Sequence, residues 1–222
     1  NQKNSNMNLI PAQFSITDTP VTITFVIANV FIYLATNPGK NTQYFYEFAE
    51  WPYKIVNNGK YYQLLTSAFL HGSAMHLIFN MFALFTFGGS LELYFKGLFD
   101  GFIGSLYYAI IYFVSLFSGS LLSVALHYKN PDYVGVGASG AVSGIVFSYI
   151  IFFPANTIYV FFFPMPAFIF AILWIGFSLY GMKKNLGNIG HEAHLGGAIG
   201  GSVTTLLLID GAFNQLIGYF TA

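Results

Sequence analysis

The chain contains no cysteine, no arginine and very little charge of either sign. Without thiols there are no disulfides, no thiolate metal sites and no cysteine nucleophile, and the redox compartment goes unread. Without arginine or any basic block, nucleic acid is excluded as a partner. Charged residues make up 7% of the 222 positions and apolar ones 55%, whereas a water-soluble domain carries about 25% charge. So few polar side chains cannot cover a globule in water, and the chain is read as embedded in a lipid bilayer. Lysines and acidic residues balance at 8 each. The first 20 residues are polar with no apolar core segment, so no cleavable signal peptide is expected.

What the chain has in abundance is apolar and aromatic, with 26 Phe and 16 Tyr. A membrane-spanning helix needs about 20 apolar residues. Six runs qualify as candidates: Val21–Thr36, Ser73–Leu93, Phe102–Leu126, Ser139–Phe153, Ile158–Leu179 and Glu192–Ile209. No fixed-period repeat and no linker divides them. The expected architecture is therefore all-α: one six-helix membrane domain over 20–210, a polar tail at 1–19 and a short C-terminal tail at 211–222. Asp18 or Thr19 can cap the first helix, with Pro20 at a first-turn position that costs no hydrogen bond. Pro154 stops the fourth, and Pro164 and Pro166 are expected to bend the fifth near its start. The long connection from about Asn37 to Gly72 is rich in Tyr, Phe and Trp, which places it partly in the headgroup layer.

The fourth run is short. At 1.5 Å per residue it makes a helix of about 22 Å, less than the thickness of the hydrocarbon core. The missing depth falls to Tyr133–Ala138, whose small residues suit extended backbone. Non-helical backbone at membrane depth survives only where protein buries it or water lines it. Ser139 is thus expected to start a helix below the surface, beside water. Even-numbered helices run in one direction, so the first turns of helices 2, 4 and 6 gather on one side. Those turns carry His76 and Asn80, Ser139, and His194.

Serine becomes a nucleophile when a base takes its proton, and histidine is the usual base. An intramembrane histidine is itself a functional-site candidate. The amide of Ser139 lies at a helix start, where N–H groups lack intrahelical partners. His76 and Asn80 share a face at i and i+4 and can add donors to an oxyanion. No acid is placed to orient His194, so the arrangement is a dyad. Gly140 and Gly144 repeat at four on helix 4, as do Gly197 and Gly201 on helix 6, a spacing that lets backbones approach. Each part alone has an ordinary reading: Ser139 as a helix cap, Asn80 as interhelical glue, His71 as a loop anchor. The set is more specific than its members.

That set resembles the rhomboid intramembrane serine proteases across nearly the whole chain. His71-Gly72-Ser73-Ala74-Met75-His76-Leu77-Ile78-Phe79-Asn80 matches the family's paired histidines followed by asparagine. Gly137-Ala138-Ser139-Gly140 matches its Gly-x-Ser-Gly, and Ala193-His194 with Gly197 and Gly201 matches its Ala-His-x-x-Gly-x-x-x-Gly. Glu92 follows Gly88-Gly89, where the family often has a glutamate closing helix 2. The resemblance implies Ser139 as nucleophile, His194 as base, and His76, Asn80 and the amides of Ala138 and Ser139 as oxyanion donors. It implies cleavage of peptide bonds in or beside transmembrane helices of other proteins, with no metal or cofactor. Substrates similar to the family's carry a small residue before the cut and a locally unstable helix. Oligomeric state goes unread.

Two positions depart from the family pattern. Tyr62-Gln63 stand where many members have Trp-Arg, and Ser143 stands where some bacterial members stack a tyrosine on the catalytic histidine. The expected location is a bacterial inner membrane, with the active site opening to the non-cytoplasmic side. Lysines point the other way: Lys3 and Lys96 fall on the expected inside, and Lys40, Lys54, Lys60, Lys129, Lys183 and Lys184 on the expected outside. Family topology is preferred here, since several of these lysines sit in a long loop or far from a helix end.

Two rivals stay in view. His191-Glu192-Ala193-His194 is close to a His-Glu-x-x-His zinc motif but has its histidines one residue too near each other. A rhomboid-like protein that binds clients without cutting them would not need an intact Ser139 and His194.

Overall fold

A computed structural model describes residues 16–36, 42–160, 162–184, 186 and 189–221. Most of the expected tail at 1–19, with Lys3, and also Lys40, lie outside the described residues. The elements in chain order are α1 (Pro20–Thr36), three short helices α2 (Thr42–Phe48), α3 (Pro52–Asn58) and α4 (Gln63–Thr66), then α5 (Ala74–Ala83) and α6 (Gly89–Leu98). They continue with α7 (Gly101–His127), α8 (Ser139–Phe152), the hairpin β1 (Thr157–Val160) and β2 (Phe163–Pro166), α9 (Ala167–Lys184), α10 (His191–Leu208) and α11 (Ala212–Thr221). A π turn at Leu84–Gly88 joins α5 to α6, so that 74–98 is one continuous rod.

Among the described residues, three helices are long and apolar enough to cross a membrane: Ala74–Leu98, Gly101–His127 and Ala167–Lys184. Pro20–Thr36 and Ser139–Phe152 are apolar but shorter. His191–Leu208 and Ala212–Thr221 pass together but meet at a 103° bend. The helical bundle agrees with the expected class, while a count of six full spans is not what helix length alone delivers. The segment 211–222, expected as a short tail, holds the ten-residue helix α11.

The expected Pro164/Pro166 bend is corrected. Both prolines lie in β2, ahead of α9. Thr157, Ile158, Tyr159 and Val160 are β-branched or aromatic, a composition that favours strand. Pairing of Thr157 with Pro166 and Ile158 with Met165 closes the hairpin, and the proline at the end of β2 is tolerated because a two-stranded sheet has only edges.

Long-range polar contacts fix the helix starts. The first-turn amides of Val21 and Thr22 donate to the carboxylate of Glu92 at 3.1 and 2.9 Å, and Ser105 Oγ donates to it at 2.8 Å. A buried anion at a helix N-terminus satisfies orphan donors and the helix dipole together. This cap comes from α6, and the local candidates Asp18 and Thr19 gave no sign of it. Asp100 caps α7 locally, accepting from Phe102 and Ile103.

At the centre stands α8, buried along its length apart from Ser139, which is half-buried. Glycines bring α7 and α10 against it, backbone to backbone. A Cβ added at Gly197 would fall onto the Gly140 carbonyl, and one at Gly201 would lie 2.5 Å from the Gly144 Cα. Gly119 on α7 approaches both Gly140 and the Ala193 carbonyl in the same way. Lower down, Thr205 Oγ1 donates to Ser148 Oγ at 2.8 Å, a polar tie between α10 and α8.

Gly201→Val should therefore lower stability by roughly 2 kcal/mol or more, as overpacking against backbone cannot relax by a rotamer change. Gly176→Ala should be neutral or mildly stabilising, because a Cβ there meets nothing within 4 Å. Unfolding midpoints of the two variants in detergent check this, and equal midpoints would refute the close-packed seam.

Candidate active site

Residues 133–138 are non-helical, and α8 begins at Ser139, where the sequence places it. The extended stretch is held at Gly135, which pairs with Glu50 in both directions at 2.9 and 2.8 Å. It is held again at Gly137, whose amide donates to the Ser67 carbonyl at 3.0 Å. Gly137 has φ of 124°, a region that side chains disfavour. A Cβ there would also lie 2.6 Å from the His76 ring. The glycine is thus required twice, for its backbone angle and for the imidazole lying over it.

Ser139, His194, His76, Gly137 and Gly140 all line one cavity of about 880 Å³. Ser139 comes from the start of α8, His194 from the first turn of α10, and His76 from the first turn of α5, where Ser73 caps the helix by accepting from the His76 amide. Ala138 is fully buried just before α8. The amides of Ala138 and Ser139 at this helix start have no partner within α8. Asn80 lies one turn beyond His76; it is buried, its Nδ2 makes no hydrogen bond, and it is not part of the cavity wall. His194 is buried, and its Nδ1 makes no hydrogen bond. Among the described residues, no hydrogen bond joins Ser139 to His194; catalytic hydrogen bonds of this kind tighten as the substrate complex forms.

His71 is fully buried and faces His76 edge-on, their ring centroids 5.0 Å apart. Burial, and then the neighbouring His76, push its pKa down to about 4, so it stays neutral at physiological pH. Glu192 is turned away from His194: it accepts from Tyr133 Oη at 2.5 Å and pairs with His127 at 2.9 Å. His191 contacts the Leu186 carbonyl at 3.1 Å. Among the described residues, no three His, Asp or Glu side chains converge on a point that could hold a metal.

Sequence reasoning missed three participants. Trp174 of α9 stacks on the His194 ring, with centroids 5.2 Å apart and planes 25° from parallel. The aromatic spacing Phe170, Trp174, Phe177 marks one face of that helix and was the available signal. Gln63, the position of the Arg departure, is fully buried and takes over the anchoring of the first loop. Its Oε1 accepts from the Trp51 amide at 3.2 Å and its Nε2 donates to the Glu47 carbonyl at 2.8 Å. Glu47 in turn receives Lys60 Nζ at 2.7 Å and the Tyr62 hydroxyl.

Third is Glu50, a buried acid that lines the same cavity. Burial first, and the charge of Glu192 with it, push its pKa up to about 7 against the opposing pull of the Ser120 and Ser123 hydroxyls.

The rhomboid domain family model matches residues 58–211, well over half of the chain. Among curated proteins, the chain is 32% identical over 168 residues to RHOMBOID-like protein 12, mitochondrial, of Arabidopsis thaliana, covering 70% of this chain and 49% of that protein. It is 32% identical over 149 residues to Rhomboid protein 1, mitochondrial, of Saccharomyces cerevisiae, covering 62% and 39%. Against the putative rhomboid protease YdcA of Bacillus subtilis it is 30% identical over 158 residues, covering 70% and 71%. The chain belongs to the rhomboid family and is an integral membrane protein. It spans half or less of the length of the two mitochondrial relatives. With relatives in both mitochondria and a bacterium, the expected bacterial inner membrane is not supported.

Glu50 yields a pH prediction. In the unfolded chain the carboxyl titrates near 4.5, and in the folded protein near 7. Between these values the folded state holds the extra proton, so this group's contribution to stability falls as pH rises, and above 7 the full penalty applies. Glu50→Gln should match wild type at pH 4 and exceed it at pH 8, by up to about 3 kcal/mol. Thermal midpoints across that range test this; a difference that does not change with pH would refute it.

Proposed function

We propose that the chain is an intramembrane serine endopeptidase that hydrolyses peptide bonds in or near transmembrane segments of membrane-protein substrates through a Ser139–His194 dyad. The observation that carries this reading is the shared cavity, with Ser139 at a helix start, His194 on the facing helix and His76 over Gly137. In this reading the protease domain covers 20–210.

His194 takes the Ser139 proton as Oγ attacks the substrate carbonyl. Because Nδ1 is buried without a partner, the nitrogen that acts is Nε2. The carbonyl oxygen gains negative charge, which the amides of Ala138 and Ser139, the His76 ring and the Asn80 amide stabilise. Asn80 reaches the oxyanion only by turning its free Nδ2 toward the cavity on substrate binding. The protonated His194 gives its proton to the leaving amine, and the acyl-enzyme is released by water. A cavity of this size, lined in part by polar side chains, has room for that water within an otherwise apolar bundle. The His76–Gly137 contact supports the oxyanion role, and the glycine seam between α8 and α10 supports the pairing of nucleophile and base. A zinc reading is disfavoured, since His191 and Glu192 are engaged elsewhere.

Labelling with a fluorophosphonate serine probe, with the protein in lipid, tests the reading. Wild type should label, while Ser139→Ala and His194→Ala should lose labelling by 100-fold or more, on the order of what loss of an activated nucleophile removes. Folded wild type that does not label would overturn the protease reading and favour client binding.

A further inference from the structure

The base in this site lacks what usually orients one. In a serine triad an acid bonds the second ring nitrogen, fixes the tautomer and stabilises the imidazolium as it forms. Here the His194 Nδ1 is buried with no hydrogen-bond partner. The carboxylate nearest in sequence, Glu192, is held by Tyr133 and His127. Ser143, one turn along α8 from Ser139, is buried and brings no ring to the histidine. The rotation of the imidazole must be set by packing.

One ring does lie over it. Trp174 is stacked on His194 at 5.2 Å and 25°, while His191 of the same helix stands edge-on to it at 6.4 Å and 79°. Phe170, one turn earlier on α9, also stacks on the indole, at 5.5 Å and 27°. We propose that Trp174 is the positioning residue of His194, holding the imidazole in its productive rotation and stabilising the imidazolium against its face. This role rests on the protease reading above.

Two consequences follow from the chemistry. An indole face attracts a cation, and in the reaction the imidazolium forms as His194 takes the serine proton. The stacking therefore strengthens on the way to the transition state and raises turnover more than substrate affinity. In addition, α9 is little enclosed by protein: only Ala167, Ser178 and Gly181 are buried along it. The residue that orients the base thus sits on the long span that the rest of the chain encloses least.

The two tryptophans of the chain make this measurable. Trp51→Phe leaves Trp174 as the sole indole emitter, and a protonated imidazole in contact quenches indole fluorescence. The imidazoles of His76 on α5 and His191 on α10 are the nearby alternatives, and Glu50 and Asp132 are the carboxyls on the same cavity. Acid quenching should be present in Trp51→Phe, persist when His191→Gln or His76→Gln is added, and vanish with His194→Gln.

In otherwise wild-type protein in lipid, Trp174→Ala should slow fluorophosphonate labelling and lower kcat on a transmembrane substrate on the order of tenfold, with KM little changed. Trp174→Phe should recover most of that loss. Quenching that does not depend on His194, or labelling of Trp174→Ala at the wild-type rate, would overturn the proposal. If His194-dependent quenching is seen but wild type does not label, the protease reading falls and the positioning role falls with it. If wild type labels and Trp174→Ala labels equally, the positioning role alone is lost.

Discussion

The close approach of α8 to α10 is the constraint on which the rest depends. Gly140 meets Gly197 and Gly144 meets Gly201, with no room for a Cβ at either of the α10 positions. In lipid there is no hydrophobic drive to bring two apolar helices together, so association relies on van der Waals packing and interhelical hydrogen bonds. Backbone contact maximises that packing. It also sets the separation of Ser139 and His194, since each lies within one turn of the first glycine of its pair. Adding side-chain bulk to the seam would separate the helices, and Ser139 and His194 with them.

A second constraint is depth. Fourteen residues of α8 cannot cross the bilayer core alone. The extended segment before it makes up the distance, and its backbone groups need partners that lipid cannot provide. Glu50 and Ser67 supply three of them, with the buried Glu50 presented from the first loop. That loop is in turn tied down by Gln63 and by the Trp51 indole, which donates to the Pro131 carbonyl at 2.8 Å. The aromatic loop therefore does more than lie at the interface: it holds the strand that delivers Ser139 to its depth.

What the sequence made legible was whatever depends on local spacing. Helix starts at Ser139 and His191 came within a residue, because small residues ahead of Ser139 and a run of apolar residues after it are local signals. The gathering of His76, Ser139 and His194 followed from the direction of alternate helices. Contacts between distant segments were not legible. Glu92 caps α1 from 70 residues away, which no window around Pro20 contains. The fifth apolar run looked uniform, yet 157–166 forms a hairpin, since four β-branched or aromatic residues and two prolines outweigh hydrophobicity there. Trp174 reads as one more aromatic on a lipid-facing helix until its ring is seen against His194.

The scarcity of charge accounts for that last contact. Among the acidic side chains, Glu92 is committed to the start of α1 and Asp100 to the start of α7. Glu47 holds Lys60 and Tyr62, and Glu192 holds Tyr133 and His127. A carboxylate inside a membrane protein is paired or hydrogen-bonded, or its charged form is disfavoured, as burial disfavours that of Glu50. A further buried carboxylate placed on His194 would add another desolvated charge beside the residue proposed as base, which must be neutral to take a proton. An aromatic face imposes no such penalty in the resting state and still favours the cation once the proton has moved. In an apolar bundle, a ring is the less costly way to orient a histidine.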